Sequence, residues 1–405
     1  RPCGRVAAMR LIHTADWHLG RLFHNELLTD DQRHVLWQLL DLVDDVKPAG
    51  VLVAGDLYDR AVPPRGAVEL LNEVLTELVD RRGVPVVAIA GNHDSGVRVG
   101  FASTLLRERG LYLAGELSQA ASPVVLTDEH GPVYVHPLPF ADAADARHAY
   151  TDGTIHDQEG VIAAGVARAL AATPADARRV LVAHAFVAGA TTTEDSERPL
   201  SVGGATQVPA AVFDGLDYVA LGHLHRPQRC GSDAVRYSGS LLKYSFAEHD
   251  HDKSVSVVEI GSPGSAAGAA GESGRARVTV ETHALRPLHD VRRLEGTLAD
   301  LLERGASDPH NGDYVLASLL DRGALLDPIG RLRAAYPNTL AIERPVYEAE
   351  GSAGEPPARP DAVSDVELFD AFFGYATGEA LDEPQRAALA AVVDGLERRR
   401  REAAP

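Results

Sequence analysis

Five short polar motifs, each directly behind a run of branched apolar residues, constrain this chain more than any other feature. They read MRLIHTADWH, VLVAGDLYD, VPVVAIAGNHD, RRVLVAHAF and LDYVALGHLH. Runs of this length and composition are buried strands. A polar cluster just behind such a run lies at the carboxyl end of its strand, where open α/β sheets bind their ligands. The clusters supply Asp16, His18, Asp56, Asn92, His184, His223 and His225. A mixed set of carboxylate, amide and imidazole donors suits Mn²⁺, Fe²⁺ or Zn²⁺ better than a thiolate or an all-oxygen set would.

Strands alternate with helices over residues 9–285, which predicts an α/β fold with parallel strands. In LTDDQRHVLWQLLDLVDDV, Leu36, Leu39, Leu40 and Val43 recur at helical spacing. PPRGAVELLNEVLTELVDRR is a second helix, opened by prolines and closed by Arg-Gly. Three later runs, VRYSGSLLKYSF, KSVSVVEI and RVTVETHAL, have short connections. They predict a second, more antiparallel sheet and so a two-sheet α/β sandwich. GSPGSAAGAAGESGRA, between the last two runs, reads as a flexible surface loop.

Residues 286–347 read helix, strand, helix, strand, a small α+β unit. Residues 348–362 form a Pro/Gly/Ala linker. Two amphipathic helices follow over 363–400, with Phe369, Phe372 and Phe373 on one face and Leu389, Val392, Val393 and Leu396 on another. The only methionine is Met9, just before the first strand, so residues 1–8 are expected to lie outside the fold.

Composition narrows the classes. A chain of 405 residues exceeds the ~100–200 of a single domain. Cys3 and Cys230 are too few and too far apart for a disulfide framework or zinc ribbon, which fits a reducing cytoplasm. No apolar run reaches the ~20 residues of a membrane span. The net charge of −19 is wrong for a free-standing nucleic-acid binder, which needs a basic surface. Either the substrate is small, or metal ions and a partner supply the positive field, or the acidity, with abundant Ala, Arg, Asp and Gly, reflects only genomic composition.

The spacing of the donors has chemical content. Asp16 and His18, two apart at a strand end, point to the same side and can grip one ion. Asp56 follows the tight turn allowed by Gly55, and its carboxylate can bridge two ions; Asn92 offers an amide oxygen. His184, His223 and His225 complete two coordination spheres. Two metals ~3.5–4 Å apart clamp a phosphoryl group and activate a bridging water. His93 stands beside a ligand but in excess of the ligand count, which makes it the candidate general acid for the leaving alkoxide. Asp59 and Asp94 either orient a ligand through a hydrogen bond or close a turn.

The ordered set resembles the calcineurin-like metallophosphoesterase superfamily. Within it the chain is similar to the SbcD nuclease subunits, bacterial relatives of the eukaryotic double-strand-break repair nuclease. MRLIHTADWHLGR, GDLYDRAVPP, HAFVAGATTTEDSERPLSVGG, GHLHRPQ and YSGSLLKYSF carry the likeness. It implies one metal on Asp16, His18, Asp56 and His225, the other on Asp56, Asn92, His184 and His223, and catalysis by His93. It further implies Mn²⁺ as the metal, 3′→5′ exonuclease action on duplex DNA, and endonuclease action on single strands and hairpins. The implied partner is a coiled-coil ATPase, SbcC, engaged by a homodimer within a heterotetramer that serves DNA repair, recombination and replication. By the same likeness 286–347 is a DNA-contacting cap, and the terminal helix-loop-helix docks on the coiled coil. Some archaeal relatives have a second histidine three residues after the bridging aspartate. This chain has Asp59 there, so that histidine's role does not carry over.

Two further readings compete. One is a metallophosphodiesterase of the same superfamily acting on a small substrate such as a cyclic nucleotide. The other is a non-catalytic scaffold, which the complete donor set opposes. The regions beyond residue 285 favour the nuclease, since a small-substrate enzyme needs no cap or tail helices.

Overall fold

The computed structural model describes residues 8–120, 122–193, 207–265, 275–323, 325–345, 365–377 and 379–402. The expected 348–362 linker, residues 1–7 and most of the Gly/Ala/Ser loop lie outside these segments. The chain divides into two compact units, Arg1–Val291 and Arg292–Pro405.

The first unit holds two six-stranded sheets. One runs in the order Val278–Ala284, Ser254–Ile260, Met9–Thr14, Gly50–Val53, Val86–Ile89 and Leu111–Ala114. The last four strands of that order are parallel, registered by Leu11 opposite Gly50, Val51 opposite Val86 and Val86 opposite Leu111. The other sheet runs Gln228–Cys230, Ser232–Tyr237, Tyr218–Gly222, Arg178–His184, Gly131–Leu138 and Val124–Asp128. Leu11, Leu52, Val87 and Ile89 of the first sheet meet Val133, Val135, Val180, Val182 and Ala220 of the second in one core. A second core, including Leu181, Val219 and Leu221, packs against Val161, Ile162 and Val166 of the helix Gln158–Ala171. The strand residues alternate between these two cores, as side chains do on a pleated sheet.

The sandwich is as the sequence predicts, but the expected antiparallel character of its second sheet is corrected. Ser254–Ile260 and Val278–Ala284 extend the first sheet instead, antiparallel beside Met9–Thr14 with Leu11 opposite Val258. That side of Met9–Thr14 is not used by a parallel strand, and an antiparallel addition needs only short connections. The inner four strands of the second sheet are all parallel. VRYSGSLLKYSF is strand only as far as Tyr237. Gly239 then turns at φ 77, where a Cβ would lie 2.7 Å from the carbonyl oxygen of His225. The chain is thereby forced to fold back under the GHLH motif.

The helix Thr29–Val46 buries Val35, Leu36, Leu39, Leu40 and Val43. It ends at Lys47 in the left-handed conformation (φ 50), and Pro48 cannot continue it. Arg65–Leu75 follows Pro63 and Pro64, buries Ala67, Leu70, Leu71 and Val74, and widens into a π turn over Thr76–Arg81.

The helix expected to open residues 286–347 is corrected: Val291–Gly296 alternates between more and less buried residues and is a strand, giving a three-stranded sheet in the order Val291–Gly296, Tyr314–Leu319, Thr339–Glu343. The helices Leu298–Gly305 and Pro328–Ala335 bury Leu298, Leu301 and Leu332 against Val315, Ala317 and Leu319. A Thr297–Asp300 capping box opens the first of these helices. The helices Asp365–Thr377 and Glu383–Glu402 are joined by an Asp370–Arg386 ion pair of 3.1 Å. Phe369, Phe372, Val392 and Leu396 are exposed on them. Among the described residues, no helix is long and apolar enough to cross a membrane.

Candidate metal centre

Every motif falls at or just beyond the end of its strand. His184 is the last residue of Arg178–His184, and His223 follows Gly222 directly. Asp16, His18, Asp56, Asn92 and His93 lie two to four residues past their strands. Because these strands are parallel and adjacent, their carboxyl ends open at one edge of the sandwich. The loops are bonded to one another: the amides of Asp16 and His18 donate to the carbonyls of Gly55 (3.1 Å) and Asp56 (2.9 Å). The His223 amide donates to Asp16 Oδ1 at 2.9 Å, and that of His93 to Asp56 Oδ1 at 2.9 Å.

Four of these residues hold left-handed or otherwise positive φ: Asp16 (52), His18 (44), Asp56 (50) and His223 (108). Such conformations cost of order 1–3 kcal/mol each and persist only where surrounding bonds over-determine them. Gly91 marks how closely the loops approach, since a Cβ there would lie 2.2 Å from Asp56 Oδ1.

The side chains form two groups around one carboxylate. Asp56 Oδ2 lies 3.6 Å from His18 Nε2 and 3.6 Å from His184 Nε2. On one side His18 Nε2 faces His225 Nε2 at 3.1 Å; on the other His184 Nε2 faces Asn92 Oδ1 at 2.8 Å. His184 Nδ1 stands 4.0 Å from Asp16 Oδ1, and the His184 and His223 rings are 5.4 Å apart. The structure thus brings together all seven candidate ligands, with His93 Nε2 3.9 Å from Asp56 Oδ2.

The donor atoms fit cations. His184 Nδ1 meets the Ala54 carbonyl at 2.9 Å, so both ring nitrogens face acceptors. A neutral imidazole carries one proton for the two of them. Burial lowers the pKa of His184, and lowers those of His18 and His223 well below the ordinary value. Neutral rings are the form that ligates metal. Buried His18 Nδ1 has no hydrogen-bond partner among the described residues. A cation at the facing donor atoms, His184 Nε2 with Asn92 Oδ1 and His18 Nε2 with His225 Nε2, would answer the proton conflict on the Nε2 side of each ring. Asp16, His18 and Asp56 already place one ligand atom each within 4.8 Å of the others.

Asp59 and Asp94 are resolved by their bonds. Asp94 closes turns: its carboxylate accepts from the amides of Leu57, Tyr58 and Gly91 at 2.9–3.0 Å. Burial and the charge of Asp56 push its pKa up to about 7. Asp59 gives its carboxylate to Arg21 at 2.8 Å and its carbonyl to His93 Nδ1 at 2.8 Å. The triple His18–Asp59–His93 is also compact enough for an ion, but the Arg21 guanidinium already neutralises Asp59. Sequence reasoning did not find Gln32, Tyr244, Glu248 or Lys253. Gln32 Nε2 donates to the carbonyls of Trp17 (3.2 Å) and His18 (2.7 Å), and Tyr244 Oη donates to that of Trp17 (2.5 Å). The signal is faint: Gln32 is a polar residue inside an amphipathic helix, Tyr244 and Lys253 fall in runs read as strands, and Glu248 sits in a charged stretch without a motif.

Residues 9–227 match the family model for calcineurin-like phosphoesterases. The chain belongs to this family. Its members carry divalent metals, and the candidate ligand array described above falls within the matched residues. Residues 287–376 match a second model, described as the type 5 capsule protein repressor C-terminal domain. The SbcD subunit of the SbcCD nuclease from Staphylococcus saprophyticus is 29% identical over 388 residues, spanning 96% of this chain and 98% of the relative. Two solved structures, a Thermus thermophilus protein and a dimetal phosphatase from Danio rerio, align over 69% of this chain and 100% of theirs. Their sequence identities are 12% and 14%, each with a TM-score of 0.37.

Proposed function

We propose that the chain is the nuclease subunit of an SbcCD-type complex, a Mn²⁺-dependent phosphodiesterase acting on DNA. The observation that carries the reading is Asp56 Oδ2, equidistant from His18 Nε2 and His184 Nε2, in a chain similar end to end to a nuclease subunit. Asp16, His18, Asp56 and His225 would hold one ion; Asp56, Asn92, His184 and His223 would hold the other. Bound there, two divalent cations polarise the phosphodiester and supply a nucleophilic hydroxide from water. The chain's own part in proton transfer falls to His93. Its Nδ1–H is committed to the Asp59 carbonyl, so the proton that moves to the leaving 3′ oxygen is the one on Nε2.

Partners follow from the same features. The net charge of −19 suits a subunit whose DNA-binding field comes from metal ions and a coiled-coil ATPase of the SbcC type. Residues 286–347 serve as the DNA-contacting cap. The helices at 363–400 dock on the coiled coil through Phe369, Phe372 and Phe373, anchors at i, i+3 and i+4, with 348–362 as the linker. We place the homodimer contact at Val97, Phe101 and Leu105, large apolar residues close in sequence that are 71%, 79% and 77% exposed. The complex would act in the cytoplasm, on DNA ends and hairpins.

One observation favours a second reading, a small-substrate phosphodiesterase. A cavity of about 710 Å³ opens beside Asn92, lined by Glu116, Phe140, Asp142 and His148, a size that suits a single nucleotide. Its carboxylates repel phosphate, which counts against it. Mn²⁺-dependent cleavage of blunt duplex and hairpin DNA, with and without the ATPase and ATP, run beside a cyclic nucleotide, separates the two. DNA cleavage stimulated by ATPase and ATP is expected; hydrolysis of the cyclic nucleotide alone overturns the nuclease reading.

A further inference from the structure

Behind His225 lies a buried ion pair that the proposed chemistry does not use. Glu248 and Lys253 are 0% and 6% exposed. Glu248 Oε1 accepts from His225 Nδ1 at 2.9 Å, and Lys253 Nζ donates to Glu248 Oε2 at 2.5 Å. The same ammonium reaches the carbonyl oxygen of His225 at 2.9 Å and Ser240 Oγ at 2.8 Å. Lys253 therefore grips His225 at both ends, through Glu248 at the ring and directly at the backbone. The connection 238–253, beyond the strand Ser232–Tyr237, closes around this point, with the Ser240 amide also donating to the His225 carbonyl at 3.2 Å.

We infer that Glu248 and Lys253 are positioning residues, a charge-balanced clamp that fixes the tautomer and aim of His225 and so sets the affinity of one of the two metal sites. The inference rests on the two-metal reading above. With Nδ1–H held by Glu248, the lone pair of His225 is on Nε2, directed at His18 Nε2 3.1 Å away. A carboxylate behind a ligating imidazole both orients it and strengthens it as a donor, and loss of such a partner weakens metal binding by ~10–100-fold. Lys253 cancels the charge of Glu248, so the clamp adds direction without a net negative charge. A buried pair is an unreliable source of stability, since apolar replacements of similar volume are often neutral. A role at His225 accounts for a buried pair that a plain core would not need. His184, by contrast, is oriented by a backbone carbonyl. The clamp therefore acts on one site of the pair and leaves the other alone.

The test strips the full chain of metal and titrates Mn²⁺ by calorimetry, with the electron paramagnetic resonance of bound Mn²⁺ and the thermal midpoint followed in parallel. Wild type is expected to take two ions and give a spin-coupled pair. Glu248→Leu with Lys253→Met removes both charges together. It should melt cooperatively, hold one ion at wild-type affinity, and bind the other ~10–100-fold more weakly, with the spectrum of isolated Mn²⁺. Glu248→Gln with Lys253→Met restores an acceptor for Nδ1 without charge and should recover the second ion. Should the apolar pair fail to fold, Glu248→Asp, which withdraws the carboxylate by one methylene, carries the same test. Wild-type binding of both ions in the Glu248→Leu/Lys253→Met pair, or in Glu248→Asp where it stands in, or equal weakening of both ions there, overturns the clamp while leaving the two-metal reading intact. A wild-type chain that takes fewer than two ions overturns both. One that takes two yet cuts no DNA defeats the nuclease assignment and leaves the clamp standing.

Discussion

Replacing His93 by alanine isolates the proton the chain itself is proposed to deliver. The ring is buried, edge-on to His18 with centroids 4.7 Å apart, and anchored by Nδ1 on the Asp59 carbonyl. His93 is outside the set of seven proposed ligands, so both ions should remain after the substitution. Removing it leaves the Asp59 carbonyl without that donor, a cost of about 1–3 kcal/mol to the fold. General-acid assistance is worth ~10²–10⁴-fold, or about 3–5 kcal/mol of barrier at 1.36 kcal/mol per tenfold. The leaving group makes the effect specific. A 3′ alkoxide of DNA needs a proton as it departs, whereas nitrophenolate does not. Cleavage rates on duplex DNA and on bis(p-nitrophenyl) phosphate, at saturating Mn²⁺ with two bound ions verified, should therefore diverge. The DNA rate is expected to fall by the full factor and the aryl ester rate by less than about tenfold. Equal losses on the two substrates would reassign His93 to positioning, and retained DNA cleavage would remove it from the mechanism.

Three other outcomes follow from the structure. Gly91→Ala drives a methyl to 2.2 Å from Asp56 Oδ1, so it should weaken both Mn²⁺ sites together and lower stability by about 1–3 kcal/mol; unchanged calorimetric titrations would contradict the bridging role of Asp56. His13, bonded to Tyr218 Oη at 2.8 Å and to the Leu221 carbonyl at 3.1 Å, has its pKa lowered to about 3 by burial, with the Arg236 charge adding to the effect. The unfolded chain binds a proton there below about pH 6.5 that the folded chain refuses. Stability should then fall by up to roughly 1.4 kcal/mol per pH unit from 6.5 down to about 3, and His13→Gln should flatten that slope in acid-unfolding curves. Deleting 361–405 should abolish co-purification with the coiled-coil ATPase while Mn²⁺-dependent hydrolysis of bis(p-nitrophenyl) phosphate survives; a truncated chain that still co-purifies would refute the docking role of the terminal helices.

Most of the metal centre could be read from the sequence because strand ends and their polar residues are local patterns. Apolar runs such as VLVA and YVALG announce strands, and parallel pairing then carries Asp56, His184 and His223 to one edge. The placement of the later strands could not be read this way. KSVSVVEI alternates no more clearly than a strand of either sheet would, since all but one of Ser254–Ile260 are buried. Its place beside Met9–Thr14 is decided by which sheet edge remains open, a property of the assembled fold. The same limit hid Gly239, whose turn is dictated by the His225 carbonyl pressed against it.

The charged side chains show where local pattern stops and tertiary environment takes over. Glu248, His251 and Lys253 fall in AEHDHDK, a stretch that on composition alone belongs to a solvated loop. In the fold all three are buried. Burial alone would raise the Glu248 pKa, but Lys253 and His225 outweigh it and hold the carboxylate well below its usual range. Those partners are contributed by residues 5 positions along the chain and 23 positions back. Asp59 follows the same logic. Its sequence neighbours make it look like a turn residue. Arg21, from 38 residues earlier, occupies its carboxylate and frees its carbonyl to set the tautomer of His93. Donors at strand ends can be recognised one motif at a time. The groups that aim them are recognisable only once the fold has put an uncompensated charge beside them, because the need to neutralise that charge is what selects the partner.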